Sequence, residues 1–175
     1  MHRLLWILLI SVLAFGQAQK PLTPQIQRGR DIFLKASKGT ACGTCHKLGA
    51  DGTAVGPDLT TMASFGTPHV IVNTMRMTMT NSVQSFKTAE GTFPGMLKVK
   101  EGDESEVWDL SQTPPVLRKL TSKQILSVER DQTWKHPPAS VDYTRQELAD
   151  IIGFLRWAAT ASVKEVKVAE VDDSR

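Results

Sequence analysis

FKTAEGTFPGMLKVKEGDESEVWDL, residues 86–110, is the stretch on which the fold turns, because it changes period where its neighbours do not. From Ser82 to Lys87 apolar and polar residues alternate, and they alternate again from Met96 to Lys100 and from Glu106 to Leu110. Period-two patterning puts successive side chains on opposite faces and marks a strand. Glu90-Gly91 and Glu101–Ser105 supply the turns between them. Two or three short antiparallel strands are expected, forming a β segment over about residues 82–120. Pro94, Pro114 and Pro115 limit their length or place them at edges, because proline cannot donate to a ladder. A short helix is expected beyond it, from Ser122 to about Val128.

Outward from this segment the period becomes helical. Thr144 with Glu147 three residues on forms a capping box, and Leu148, Ile151, Ile152, Leu155 and Ala159 follow as one apolar stripe. Upstream, Thr23-Pro24 reads as N-cap and first helical residue, with Ile26, Gly29, Ile32 and Phe33 at helical spacing to about Ala36. Gly29 costs helix stability relative to alanine, which points to a close helix contact there. A second helix is expected from His69 to about Thr78, and residues 39–56 read as an ordered loop. Met75, Met77 and Met79 are spaced by two, which is not one helical face, so they read as packing filler. Residues 164–175 alternate valine with charge and are expected to be a flexible tail.

The first eighteen residues read as a signal peptide. Met1-His2-Arg3 is a positive start, Leu4–Phe15 is apolar, and Gly16-Gln17-Ala18 offers small residues for cleavage near Ala18. A bilayer span needs about 20 apolar residues, more than this run provides. No cysteine stands near its end to carry a lipid. The mature chain is therefore expected to be periplasmic or secreted, without an integral membrane span. The whole sequence of 175 residues has room for one domain, placed at 19–163. Its net charge of +3 is too small to point to nucleic acid or anionic membrane.

The two cysteines, Cys42 and Cys45, stand two residues apart and His46 follows at once. A disulfide across so short a gap would constrain the unfolded chain little. A redox dithiol would sit in a strand–helix alternation, and a zinc site would need further ligands, normally a second close pair. The C-x-x-C-H pattern matches covalent haem attachment: two thiols reach the two vinyl groups along one porphyrin edge, and the adjacent imidazole reaches the iron. One haem c is the cofactor expected, with His46 as proximal ligand.

Taken with the Gly29/Phe33 helix, Cys42-Gly43-Thr44-Cys45-His46, Gly56-Pro57-Asp58-Leu59 and the closing helix, the chain resembles the class I, single-haem cytochromes c. Its middle segment is similar to that of a bacterial branch of haem-binding domains that carries a β-hairpin insertion before the distal loop. The resemblance covers residues 24–65 and 130–160, with the strand-turn-strand at 86–110. It implies a mainly α protein, a cytochrome c fold with a small antiparallel β insertion. It also implies that the Pro57 carbonyl orients His46 and that the first and last helices cross. Members of that branch accompany periplasmic dehydrogenases.

In the resembled family a methionine followed by proline, before the last helix, is the sixth iron ligand. Trp134-Lys135-His136-Pro137-Pro138 stands there, so His136 is the expected distal ligand, giving bis-histidine ligation and a lower potential. Prolines on its C-terminal side hold it in extended backbone. Met96 is the fallback, then Met62, His69 and Met79; an open distal site is the remaining option. The function expected is periplasmic electron transfer, not catalysis, with a redox partner protein that is a periplasmic dehydrogenase or respiratory component. The alternatives are a haem enzyme or gas sensor with a displaceable distal ligand, for which Arg76, Glu129 or Arg130 could be recruited, and a docking role for the β-hairpin.

Overall fold

The computed structural model describes residues 22–77 and 82–171. The signal segment with its cleavage site near Ala18, and Met79, lie outside the described residues. Helix α1, Pro24–Leu34, starts where Thr23 Oγ1 accepts from Ile26 N at 3.3 Å, with Pro24 at its first position. After a 3-10 turn at Cys42–Thr44 come two short strands, β1 Lys47–Leu48 and β2 Asp51–Gly52, paired antiparallel. Helices α2, Thr60–Phe65, and α3, Pro68–Met75, follow; Thr67 Oγ1 caps α3 by accepting from Val70 N at 3.3 Å. Then five strands run in succession: β3 Gln84–Thr88, β4 Gly91–Glu101, β5 Glu104–Asp109, β6 Val116–Thr121 and β7 Ile125–Arg130. Helix α4, Arg145–Thr160, carries the capping box in full: Glu147 N donates to Thr144 Oγ1, and Thr144 N donates to the Glu147 carboxylate at 2.7 Å.

This architecture corrects the expected fold class. A mainly α cytochrome c fold with a small β insertion is not what forms: 35% of the described residues are helical and 26% are strand, and the sheet has five strands. Two strands of that sheet were missed, and β1 and β2 fall within residues 39–56, expected to be loop. Ile125–Arg130 is strand and not helix; Ser122–Gln124 is the turn before it, and Ile125, Ser127 and Val128 pair with β3, the register shifting at Leu126. β6 was hidden because Arg118 and Lys119 interrupt its apolar alternation, yet Arg118, only partly exposed, lies over the Phe93 ring and pairs with Asp109. α2 was also unforeseen.

Strand order is β6-β5-β4-β3-β7, all antiparallel. The two edge strands are nonetheless joined by three residues, Ser122–Gln124. A flat five-stranded sheet would separate its edges by about 19 Å. Four Cα steps from Thr121 to Ile125 reach at most about 15 Å. The sheet therefore curls, and its concave face encloses Phe86, Phe93, Val107 and Leu120 with Ile125 against them. Phe86 and Phe93 stack with centroids 5.7 Å apart. Gly95 makes the curl possible, since a Cβ there would lie 2.8 Å from both Phe86 and Val107. Arg118 closes the end, donating to the wholly buried Asp109 at 2.7 Å and lying 4.5 Å over the Phe93 ring.

A second, larger core joins the helices. α1 crosses α4 at Gly29, where a Cβ would run into the Asp150 carbonyl and stand 2.9 Å from Phe154 Cβ. Phe33 and Phe154 meet at 5.4 Å, and Ile26, Ile71, Ile151, Ile152 and Leu155 are buried around them. Arg28 clamps the crossing with two bonds to the buried Asp150, at 2.7 and 2.9 Å. The segment expected to be a flexible tail instead packs as far as Val171. Gln25 Nε2 donates to Val166 O at 2.8 Å, Val166 N donates back to Gln25 Oε1 at 3.0 Å, and Val166 and Val171 are buried.

Candidate functional site

Between the two cores lies a cavity of about 560 Å³. That is the size that takes a large, flat organic ligand rather than an ion. Phe33, Ile151 and Leu155 from α1 and α4, with Val55 and Leu59 from the loop before α2, form one wall, and Val83, Met96 and Leu110 of the sheet and its ends line it as well. Cys42, Cys45, His46, Pro57 and His136 all line this one space.

Backbone hydrogen bonds shape the Cys42–His46 segment. Cys45 N and His46 N both donate to Cys42 O, at 3.1 and 2.9 Å, winding the motif into a tight turn. The following loop is stapled to it: Thr53 N donates to Gly43 O at 3.0 Å, and Val55 N and Gly56 N donate to Cys45 O at 3.0 and 2.7 Å. These bonds bring Gly56 and Pro57 onto the His46 ring. His46 Nδ1 donates to Pro57 O at 2.8 Å. A carbonyl can only accept, so the proton is on Nδ1 and the Nε2 lone pair is free for a metal. Gly56 lies flat against the ring, where a Cβ would stand 2.8 Å from His46 Cε1.

The cysteines are not bridged to each other. Burial pushes the Cys42 thiol up to about 11 and raises that of Cys45 as well. A dithiol built for redox exchange needs a depressed thiol instead. Among the described residues no three His, Cys, Asp or Glu side chains converge to hold a bare ion. Any metal bound by His46 and His136 would therefore bring most of its ligands with it, as a macrocycle does.

The two imidazoles are neighbours, with ring centroids 5.9 Å apart and planes at 86°. Two metal–imidazole bonds of about 2 Å each, lengthened by the reach from ring centre to nitrogen, give a centroid separation of about 6 Å. The spacing thus fits one iron between the rings, and the apolar cavity and paired thiols fit a porphyrin around it. His136 is held neutral, its pKa lowered first by burial and then by His46. Its loop is fixed from the sheet. Asp131 N donates to Val83 O at 3.2 Å, just beyond the β3–β7 ladder, and Asp131 Oδ1 accepts from Thr133 N, Thr133 Oγ1 and Trp134 N at 2.7–2.8 Å. Trp134 then packs beside His136 with centroids 6.3 Å apart, and Pro137–Ser140 follows as a 3-10 turn.

Of the other expected ligands, Met96 on β4 and Met62 on α2 line the cavity, while His69 does not. His69 is exposed on α3, within 3.0 Å of Asn73 Nδ2. Met75 and Met77, read as filler from their spacing, are also in the lining. Asp131 was not foreseen as a loop anchor, although Asp-x-Thr is a common Asx-turn pattern and was there to find. No protein-family model matches this chain, and no curated protein matches it.

Proposed function

We propose that this chain is an extracytoplasmic electron-transfer protein carrying one covalently attached haem c. The observation that carries the reading is the pairing of His46 and His136 at 5.9 Å across a cavity that Cys42 and Cys45 also line. The bound haem supplies a one-electron couple at its iron. Cys42 and Cys45 tether it by thioether bonds to its vinyl carbons. His46, its tautomer fixed by Pro57 O, presents Nε2 to one face. His136 presents a neutral ring to the other. Both rings are held by ordered backbone, so a change of oxidation state asks for little rearrangement. The likeness of residues 24–65 and 130–160 to class I cytochromes c adds support, as does the signal-like first segment. A periplasmic dehydrogenase or respiratory component is the partner that fits such a carrier.

The test is expression of the full chain in a host that matures c-type haem, followed by denaturation. Haem that stays with the polypeptide, and is lost from the Cys42→Ser, Cys45→Ser double variant, is the expected result. A wild-type chain without covalent haem overturns the proposal.

A further inference from the structure

We infer that Arg130 is the binding residue for a carboxylate of the ligand that fills this cavity, which on the function proposed above is a haem propionate. A large ligand with an apolar body must leave its anionic groups at the mouth of an apolar cavity, because an unpaired buried carboxylate is costly. Among the described residues lining the cavity, Arg130 is the only lysine or arginine, and Asp58 is the only carboxylate. Asp58 is already occupied, accepting from Thr60 N at 2.8 Å. Arg130 is not: among the described residues its guanidinium meets no hydrogen-bond or ion-pair partner. Every other described arginine has one, Arg28 at Asp150, Arg30 at Asp51, Arg118 at Asp109 and Arg156 at Gly66 O, with Arg76 and Arg145 also engaged.

The backbone position of Arg130 is set firmly. It is the last residue of β7, opposite Gln84 on β3, and Ser82 and Val83 beside it also line the cavity. The following residue, Asp131, begins the turn that delivers His136. The sheet thus contributes a cation and the distal loop from the same strand end. A guanidinium offers a carboxylate two parallel bonds, which a lysine cannot reproduce.

The test uses the haem-loaded full chain as wild type, Arg130→Gln and Arg130→Lys, with the iron midpoint potential followed against pH. His46, His136 and Asp58 line the same cavity, and Glu129 and Asp131 flank Arg130, so these are the other groups whose titration must be common to all three proteins. Loss of the guanidinium favours the oxidised, more positive haem. Arg130→Gln is expected to lower the reduction equilibrium about tenfold, about 59 mV for one electron. It is also expected to raise the pH at which the propionate step appears. Arg130→Lys should restore the potential in part. Haem attached as in wild type, with potential and pH profile unmoved in Arg130→Gln, overturns the inference. Absence of covalent haem from the wild type is a distinct failure, which overturns the function on which the propionate assignment rests.

Discussion

Replacing Gly56 by alanine asks the site to accommodate one methyl group where there is no room. The added Cβ would stand 2.8 Å from His46 Cε1, 3.1 Å from Nδ1 and 3.4 Å from Nε2. All three neighbours belong to a ring that is itself tied to Pro57 O at 2.8 Å. Relief requires the ring to move, which breaks that bond, or the loop to move, which strains the Gly56 N to Cys45 O bond at 2.7 Å. Overpacking of a fitted contact costs about 1–3 kcal/mol. A lost hydrogen bond adds about 1 kcal/mol. Chemical denaturation should therefore show Gly56→Ala destabilised by about 2–4 kcal/mol. The holoprotein should report it independently: an imidazole that no longer donates from Nδ1 is a weaker base toward iron, so the midpoint potential should rise. Unchanged stability together with an unchanged potential would refute the claim that Gly56 and Pro57 set the orientation of His46.

Further outcomes follow from the two cores. Gly29→Ala places a methyl against the Asp150 carbonyl at the α1–α4 crossing and should cost about 3 kcal/mol in urea unfolding, the upper end for overpacking because backbone cannot yield as a side chain does. Arg118→Ala leaves the wholly buried Asp109 without its guanidinium. The loss should be about 2–3 kcal/mol, below that of a fully buried pair because Arg118 is partly exposed, and the haem spectrum should not change. Asp131, whose pKa is held low chiefly by the Trp134 and Thr133 backbone N–H groups, gives the distal loop a pH dependence. A depressed folded pKa means that the stabilisation is present above the unfolded value of about 3.9 and is lost as pH falls through the folded value. The low-spin signal should therefore persist at pH 5 and fade below about pH 4, and Asp131→Ala should weaken it already at neutral pH.

The sequence was most legible where a residue does one local job. Thr144 and Glu147 can hardly do anything but cap a helix, and the stripe from Leu148 to Leu155 has one period and one buried face. Gly29 announced a close approach because a helix tolerates glycine poorly, and Asp150 and Phe154 are what it approaches. CGTCH could be read as an attachment pattern without geometry, and His136 was named because it stands where the resembled family has its methionine; the structure sets its ring centroid 5.9 Å from that of His46. What failed was the weighting of the sheet. Arg118 and Lys119 made β6 look solvent-facing, while the partner that makes Arg118 an inside residue, Asp109, lies on another strand. Ser122–Val128 scans equally as a turn of helix or as a turn and a strand, and only pairing with β3 decides it. The C-terminal segment looked frayed because its anchor, Gln25, is at the far end of the chain. The misses at β7 and at the C-terminal segment concern long-range pairings, which local period does not encode.

Optical and low-temperature EPR spectra of the ferric full-length holoprotein, beside His136→Ala, read whether one iron sits between His46 and His136. The expected result is low-spin ferric haem without the red-end absorption of a methionine–iron bond, turning high-spin or open to added ligand in the variant. A methionine-type absorption that survives in His136→Ala would contradict it and move the distal ligand to Met96 or another of the cavity's methionines.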